Sequence, residues 1–376
     1  MNILICGSSG FIGTHLVELL ADNGHEITGL DLNMPQSYAG LSDFYQGDIL
    51  KKQDIRPALR GMDCVINLAA RHSDFGITRR EYFETNETGS RRLLECMTDA
   101  RVDKYIFFSS VAVYGDHPEE ADETTVPRPT SHYGDSKVAA ENVTRQWARA
   151  NTRRSVVIIR PTLVFGPGNT ANMYSLIRQI DRGQFFHFGS GRAIKSLCYV
   201  ENLTEATDFC LDRMAPGVAT FNYVDKKDLE VNQMIDIISG SLNKKAPSVH
   251  LPLWLGLGIG RVFDLASKLT GRNLAVSSAR VKKLTTPTRF AAGLIGDCGF
   301  LPRYSLEEGL QNMVNWYTNR LYRRPDLAEQ FQKISQTLLD KDIVFDVPLM
   351  VQFPGPVEIT EYMPSPPLAA VERIAK

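Results

Sequence analysis

The sequence predicts a doubly wound α/β fold, a parallel sheet with helices on both faces. Three observations carry that prediction. Up to Arg160, short apolar runs alternate with longer amphipathic stretches, the pattern of strands joined by helical crossovers. A run rich in small residues, Gly7-Ser-Ser-Gly10-Phe-Ile-Gly13, falls between the first apolar run and the first amphipathic stretch. After Arg160-Pro161 the alternation loosens, which points to a smaller α/β lobe interleaved with the sheet.

In chain order, strands are expected at Ile3–Cys6, Glu26–Leu30, Phe44–Gln46, Cys64–Asn67, Tyr105–Phe108 and Ser155–Ile159, with a short one at Leu197–Val200. Helical periodicity is expected over Ile12–Asp22, Asp54–Leu59, Tyr82–Ala100, Ser136–Ala150, Ala171–Arg182, Asn202–Asp212 and Val231–Leu242. A further helix, Ser305–Arg320, has a Ser-Leu-Glu-Glu start that suits a capping box. Turns are expected at Gly166–Asn169 and Gly189–Gly191. These elements assign 1–166 and 198–225 to the sheet domain and 167–197 with 226–322 to the smaller lobe. The remainder, 323–376, reads as a helix (Pro325–Lys341) followed by an extended tail with six prolines after Val347.

Composition bounds the function. The chain has 376 residues, 43% apolar and 23% charged, with a formal net charge of −1. With no basic excess to neutralise phosphates, nucleic acid is not an expected partner. The six cysteines are scattered without a CxxC pair, so neither a disulfide framework nor a metal site is expected, and reduced thiols suit a cytoplasmic setting. The chain starts directly on a strand-like run, so no signal peptide is expected. The longest uncharged apolar stretch, Leu251–Gly260, is about half the length of a membrane span.

The small-residue run has a chemical reading. Glycines at such a strand–helix turn let the backbone approach a pyrophosphate, and the helix start offers N–H donors and a favourable dipole. Gly7, Gly10, Phe11, Ile12 and Gly13 are therefore candidate dinucleotide contacts in a Rossmann-type sheet. Asp31 ends the second strand, where a carboxylate bonds both ribose hydroxyls of NAD and repels the 2′-phosphate of NADP. Asp48 and Ile49 are candidates for the adenine edge, or form a surface turn. Leu68, Ala69 and Ala70 end the fourth strand, at the sheet edge where ligands sit.

Catalytic candidates follow the cofactor loop. Tyr133 and Lys137 are four apart at a helix start and share a face. An ammonium beside a phenol favours the phenolate, which makes tyrosine a usable base near neutral pH. The Ser109-Ser110 pair ends the preceding strand, and its hydroxyls are placed to bond a reacting oxygen.

As a set, these residues resemble the extended short-chain dehydrogenases/reductases, the NAD-dependent epimerase/dehydratase family. The match runs through Gly7-xx-Gly10-xx-Gly13, Asp31, Asp48-Ile49, Asn67-Leu-Ala-Ala70, Asn86, Ser109-Ser110-xxx-Tyr114-Gly115, Tyr133-xxx-Lys137 and Arg160-Pro161, and covers about residues 1–320. The resemblance implies NAD as cofactor, Ser110, Tyr133 and Lys137 as catalytic residues, and a structural role for Asn86. It implies pairing of copies through Tyr82–Ala100 and Ser136–Ala150.

In the second half, Arg160–Gly166, Lys195–Asn202, Phe221–Asp225 and Ala275–Lys283 are similar to the bacterial 4-epimerases of N-acetylglucosaminyl-diphospho-undecaprenol. They resemble, less closely, the UDP-sugar 4-epimerases and 4-keto-reductases of polysaccharide clusters. The implied activity is inversion at C4 of a diphosphate-linked hexose through a 4-keto intermediate, in surface polysaccharide (O-antigen) synthesis. A 4-keto-reductase or a dehydratase of the same family is the alternative. Asp31 counts against an NADPH-using reductase, and Val111-Ala112 after Ser110 counts against dehydration, where Asp-Glu is typical. For the substrate, Ser110, Tyr133, Asn172, Arg192 and Lys195 are candidate contacts, the two cations reading equally as ordinary surface charges. Arg280, Lys282 and Lys283 read as a solvated basic face or as contacts to anionic headgroups. Leu251–Gly260 is either a core helix of the smaller lobe or an interfacial one that brings the protein to the inner face of a membrane.

Overall fold

The computed structural model describes residues 1–72, 76–117, 119–258, 261, 282 and 285–322. The expected helix at Pro325–Lys341 and the Pro-rich tail lie outside the described residues, as do Arg280 and Lys283. Two compact units are present, Met1–Asn315 and Trp316–Lys376. In the second, described only to Tyr322, the Arg320 guanidinium lies 5.2 Å from the centre of the Trp316 ring.

The first unit is built on a seven-stranded sheet. Its strands are β1 (Asn2–Cys6), β2 (Glu26–Asp31), β3 (Asp43–Gln46), β4 (Cys64–Asn67), β5 (Lys104–Phe108), β6 (Ser155–Pro161) and β10 (Gly217–Tyr223). Their spatial order is β10-β6-β5-β4-β1-β2-β3, and every pairing is parallel. The strand order reverses direction between β1 and β4, so the loops after these two strands diverge and leave a crevice at the carboxyl edge.

Alternation along each strand divides the core in two. In β1, Ile3 and Ile5 pack on one face with Leu16, Val17 and Leu20 of α1 (Phe11–Asp22) and Leu203, Ala206 and Cys210 of α7 (Val200–Asp212). Leu4 and Cys6 pack on the other with α2 (Lys52–Ala58), α4 (Ser90–Ala100) and α5 (His132–Arg149), through Ile55, Leu93, Leu94, Met97, Ala140 and Val143. Both faces are covered, which is why these strands read as continuous apolar runs.

A three-stranded sheet adjoins it: β7 (Leu163–Phe165) runs parallel to β9 (Ile194–Tyr199), and β11 (Asp225–Glu230) antiparallel to β9. β7 follows β6 with one residue between, and β11 follows β10 likewise, so the chain steps repeatedly between the sheets. A two-stranded parallel pair, β8 (His187–Phe188) and β12 (His250–Leu251), completes the strands among the described residues. Helices α6 (Asn172–Asp181), α8 (Val231–Ser241), α9 (Gly293–Asp297) and α10 (Leu306–Tyr322) accompany them. Ser305 and Glu308 form the reciprocal bonds of a capping box at the start of α10, as the sequence predicts.

Some expectations shift. The helix expected over Tyr82–Ala100 begins earlier, as α3 (Arg79–Phe83), and passes through a π-helical segment, Glu84–Gly89, before α4. The strand expected at Leu197–Val200 is Ile194–Tyr199. The apolar Leu251–Gly260 is not one helix: His250–Leu251 is strand and only 253–258 are described as helical.

One buried carboxylate ties the sheets together. Asp225 accepts hydrogen bonds from Tyr199 N (2.6 Å), Asn202 Nδ2 (2.9 Å) and Tyr223 OH (3.1 Å). Burial pushes its pKa up to about 6, well above the ordinary range of an aspartate. The folded state therefore binds a proton that the unfolded chain has released. Asp225 favours folding most below about pH 4, and that contribution is lost as pH rises through about 6. Relative to Asp225→Asn, the wild-type denaturation midpoint is expected to fall between pH 4 and pH 7. Parallel midpoints over that range would refute it.

Candidate active site

The sheet's carboxyl edge gathers most of the residues singled out in the sequence. After β1, Gly7 takes φ +86, and a Cβ there would press on the backbone of Leu68 and Ala69. A Cβ at Gly13 would run into the Gly7 carbonyl oxygen. These two glycines let the β1 loop, the β4 loop and the first turn of α1 close on one another. Gly10 is the N-cap of α1, with no side-chain cap on its first-turn N–H groups. It is exposed, and Phe11 and Ile12 behind it are half-buried.

Asp31, at the end of β2, accepts bonds from Ser9 N (3.1 Å) and Asn33 N (2.9 Å), which fixes its carboxylate beside the glycine loop. Asp48 accepts from Leu50 N at 2.9 Å. The Ile49 side chain is buried in the core and packs on Gly89, so any contact from Ile49 to a ligand comes through its backbone. Leu68, Ala69 and Ala70 are half-buried after β4, where Asn67 Oδ1 accepts from Ala69 N at 3.1 Å.

Across the crevice, Ser109-Ser110 follow the end of β5. Ser110 is half-buried and caps a short 3-10 turn, accepting from Ala112 N at 3.1 Å. α5 begins earlier than the periodicity of Ser136–Ala150 suggests, because Ser131 caps it by accepting from Gly134 N at 3.0 Å. Tyr133 is thus in the first turn and half-buried, with the Tyr82 ring 6.1 Å away. Lys137 follows one turn later and is 3% exposed. Its Nζ donates to Phe108 O at 2.8 Å and lies 5.0 Å from the Phe107 ring centre and 5.9 Å from that of Tyr133. Burial pulls its pKa down to about 7, and Glu141 opposes the drop.

Asn86 lies in the π-helical segment. Its Oδ1 accepts from Arg71 N (2.8 Å), and its Nδ2 donates to Arg71 O (3.1 Å) and to Ser136 Oγ (2.8 Å). It joins the β4 loop to α5, next to Lys137.

Beneath the site runs a buried network that the motifs only partly signalled. Glu141 accepts from Ser109 Oγ (2.6 Å), from Arg160 Nε (2.8 Å) and Nη2 (2.6 Å), and from Arg145 Nη2 (3.4 Å). Burial would raise its pKa, but the Arg160 and Ser109 bonds hold it below the usual carboxylate range. Arg160 Nη1 donates to Tyr114 OH (2.7 Å), which donates to Asn222 Oδ1 (2.7 Å).

The remaining substrate candidates are spread out. Asn172 opens α6 and is exposed, as is Arg192 in the turn before β9. Lys195 differs from a surface cation: it is 9% exposed, and its Nζ donates to Thr286 O. A cavity of about 140 Å³ lies beside the Gly189–Gly191 turn, lined also by His187, Phe188 and Leu253.

Residues 3–223 match the NAD dependent epimerase/dehydratase family. The chain belongs to that family. It is 42% identical, over 84% of its own length and 95% of the relative's, to N-acetyl-alpha-D-glucosaminyl-diphospho-ditrans,octacis-undecaprenol 4-epimerase of Escherichia coli O157:H7. It is 29% identical to a UDP-glucose 4-epimerase of Vibrio cholerae, over 82% and 93% of the two chains. The fold is shared with the UDP-glucuronic acid 4-epimerase of Bacillus cereus solved with NAD (TM-score 0.68, 23% identity, 86% and 100% coverage). It is shared also with the UDP-glucose 4-epimerase of Thermotoga maritima (TM-score 0.69, 24% identity, 85% and 100% coverage).

The family's cofactor is NAD, and the site fits it. The start of α1 has N–H groups without a side-chain cap, the glycine loop lies at the crevice, and Asp31 is held beside it for a ribose diol.

Proposed function

We propose that this member of the family inverts C4 of N-acetylglucosamine carried on a polyprenyl diphosphate, as a step in surface polysaccharide (O-antigen) assembly. The 42% identity across nearly all of the Escherichia coli lipid-linked epimerase carries the choice of substrate. The reaction is reached through Ser110, Tyr133 and Lys137. Gly7, Gly10–Gly13, Asp31, Asp48-Ile49 and Leu68–Ala70 would hold NAD, with Tyr133 and Lys137 at its nicotinamide end. Bound NAD supplies reversible hydride acceptance at the carbon being inverted.

Tyr133 takes the proton of the sugar 4-hydroxyl and gives it back after the 4-keto sugar has turned over. Lys137, when protonated, stabilises the phenolate across about one helical turn. Ser110 donates a hydrogen bond to the reacting oxygen and fixes its position. Arg192 and Asn172 are exposed and would meet the diphosphate. Lys195, on β9 with its ammonium held by Thr286 O, would contribute a positive charge to the same end of the substrate.

A lipid-linked substrate calls for contact with a membrane face. Among the described residues no helix is long and apolar enough to cross a membrane. Trp254 and Leu253 open the helical stretch 253–258 and are 73% and 39% exposed. Such side chains at a polar surface suit the headgroup boundary, and we infer peripheral binding to the cytoplasmic face there. We infer also a homodimer paired through Arg79–Ala100 and α5.

The test is a paired assay. With NAD, the purified protein is expected to convert undecaprenyl-diphospho-N-acetylglucosamine to the galacto product and UDP-N-acetylglucosamine poorly. Leu253→Ser/Trp254→Ser is expected to lower turnover of the lipid-linked substrate in vesicles several-fold and to leave any UDP-sugar turnover unchanged. Product from the nucleotide alone would overturn the lipid assignment. No product from either would turn the assignment to a 4-keto-reductase.

A further inference from the structure

Tyr133, Lys137 and Glu141 are spaced four apart along α5, so their side chains share one helical face. The sequence motif ends at Lys137, but the stripe does not. Glu141 lies a turn further along, 3% exposed, among Ser109 just after β5, Arg160 of β6 and Arg145 of its own helix.

We propose that Glu141 is a positioning residue of the epimerase site: its carboxylate, one turn along the same face of α5, favours the ammonium form of the buried Lys137 beside Tyr133 and, through the Ser109 hydroxyl, fixes the strand end that carries Ser110. This rests on the roles given above to Tyr133, Lys137 and Ser110.

The surroundings of Lys137 supply the reason. Its named neighbours are a carbonyl oxygen, the Phe107 ring, Tyr133 and, one turn away, Glu141. A carbonyl and a ring face do not offset the loss of hydration of a buried ammonium, which tends to shed its proton. Among the described residues Glu141 is the one carboxylate bearing on it; even with Glu141 opposing, burial draws Lys137 down to about 7, so loss of that charge would lower it further. Arg160 and Arg145 reach Lys137 only through Glu141, which they keep ionised. The arrangement is an alternating series of charges: ammonium, carboxylate, guanidinium. A carboxylate serving Arg160 alone would need no place on the Tyr133–Lys137 stripe.

The second function is geometric. Glu141 accepts the Ser109 hydroxyl at 2.6 Å, while Lys137 holds Phe108 O at 2.8 Å. Consecutive residues of the β5 end are thus held by one face of α5, and Ser110 is the next residue.

The test is the pH profile of kcat/KM on the diphosphate-linked substrate. Glu141→Gln keeps the size and an acceptor for Ser109 but removes the charge. Its alkaline limb, where the Tyr133–Lys137 pair loses the ammonium proton, is expected to move about 1 pH unit or more toward acid. Glu141→Asp is expected to return it toward the wild-type position. Glu141→Gln/Arg160→Gln leaves no unpaired buried guanidinium at position 160, so it provides the measurement if the single variant does not fold; Lys137 still loses its carboxylate, and the same acid shift is expected. A wild-type limb in either folded Gln variant, whatever the fall in kcat, overturns the proposal. Tyr133→Phe separates the two failures: if that variant is inactive and the limb unmoved, only the role of Glu141 falls. If Tyr133→Phe stays active, the catalytic assignment falls as well.

Discussion

Tyr133→Phe is expected to lower epimerase turnover by about 10³-fold, within the range that a general acid–base group supplies, while NAD content and thermal midpoint stay close to wild type. The ring can keep its place, since Tyr133 is only half-buried and its ring contact with Tyr82 needs no hydroxyl. What is lost is the proton acceptor. Neither neighbour replaces it: Ser110 Oγ is a far weaker acid than a phenol held beside an ammonium, and Lys137 Nζ is turned to Phe108 O. The measurement is a single-turnover assay of the released sugar, with bound NAD determined on the denatured protein. Turnover within a few-fold of wild type would remove Tyr133 from the mechanism and bring down the Ser110–Lys137 roles with it. Loss of NAD together with activity would point to a cofactor-holding role instead.

How much of this site could be read in the sequence depended on whether a local rule governed each part. The glycine loop was legible because strand, turn and helix each leave a composition signal, and its residues lie at the crevice as expected. The central strands were legible because both of their faces are covered. β10 was not expected as a strand: Gly-Val-Ala-Thr-Phe-Asn-Tyr lies at the sheet edge with an alternating half-exposed pattern, so it shows no continuous apolar run. The π-helical turn at Glu84–Gly89 has no local signature; it is where Asn86 reaches both Arg71 and Ser136, a tertiary demand. Lys195 reads in the sequence as a diphosphate contact or a surface cation, and is buried against Thr286, a partner 91 residues away in the chain. Glu141 was overlooked although it continues the four-residue spacing of Tyr133 and Lys137. Its partner Arg160 stood in a recognised motif, but nothing local pairs the two.

That pair sets the second large effect. Arg160→Met is expected to cost roughly 3–5 kcal/mol of folding stability, as when one member of a buried ion pair is removed. Both side chains are 4% exposed and joined by two short bonds. Methionine fills much of the volume but leaves the carboxylate of Glu141 with Ser109 and the more distant Arg145, and leaves Tyr114 OH without its donor. The desolvation cost of Glu141 is then no longer offset. Glu141→Gln added to Arg160→Met is expected to recover most of the loss, because an uncharged amide is far cheaper to bury than a lone carboxylate. Urea denaturation of the wild type, the single variant and the double variant gives the comparison. If the double variant is no more stable than Arg160→Met, the cost lies in packing and in the Tyr114–Asn222 bonds, not in an unpaired charge. Recovery of stability without recovery of the wild-type pH profile would separate what the pair does for the fold from what Glu141 does for Lys137.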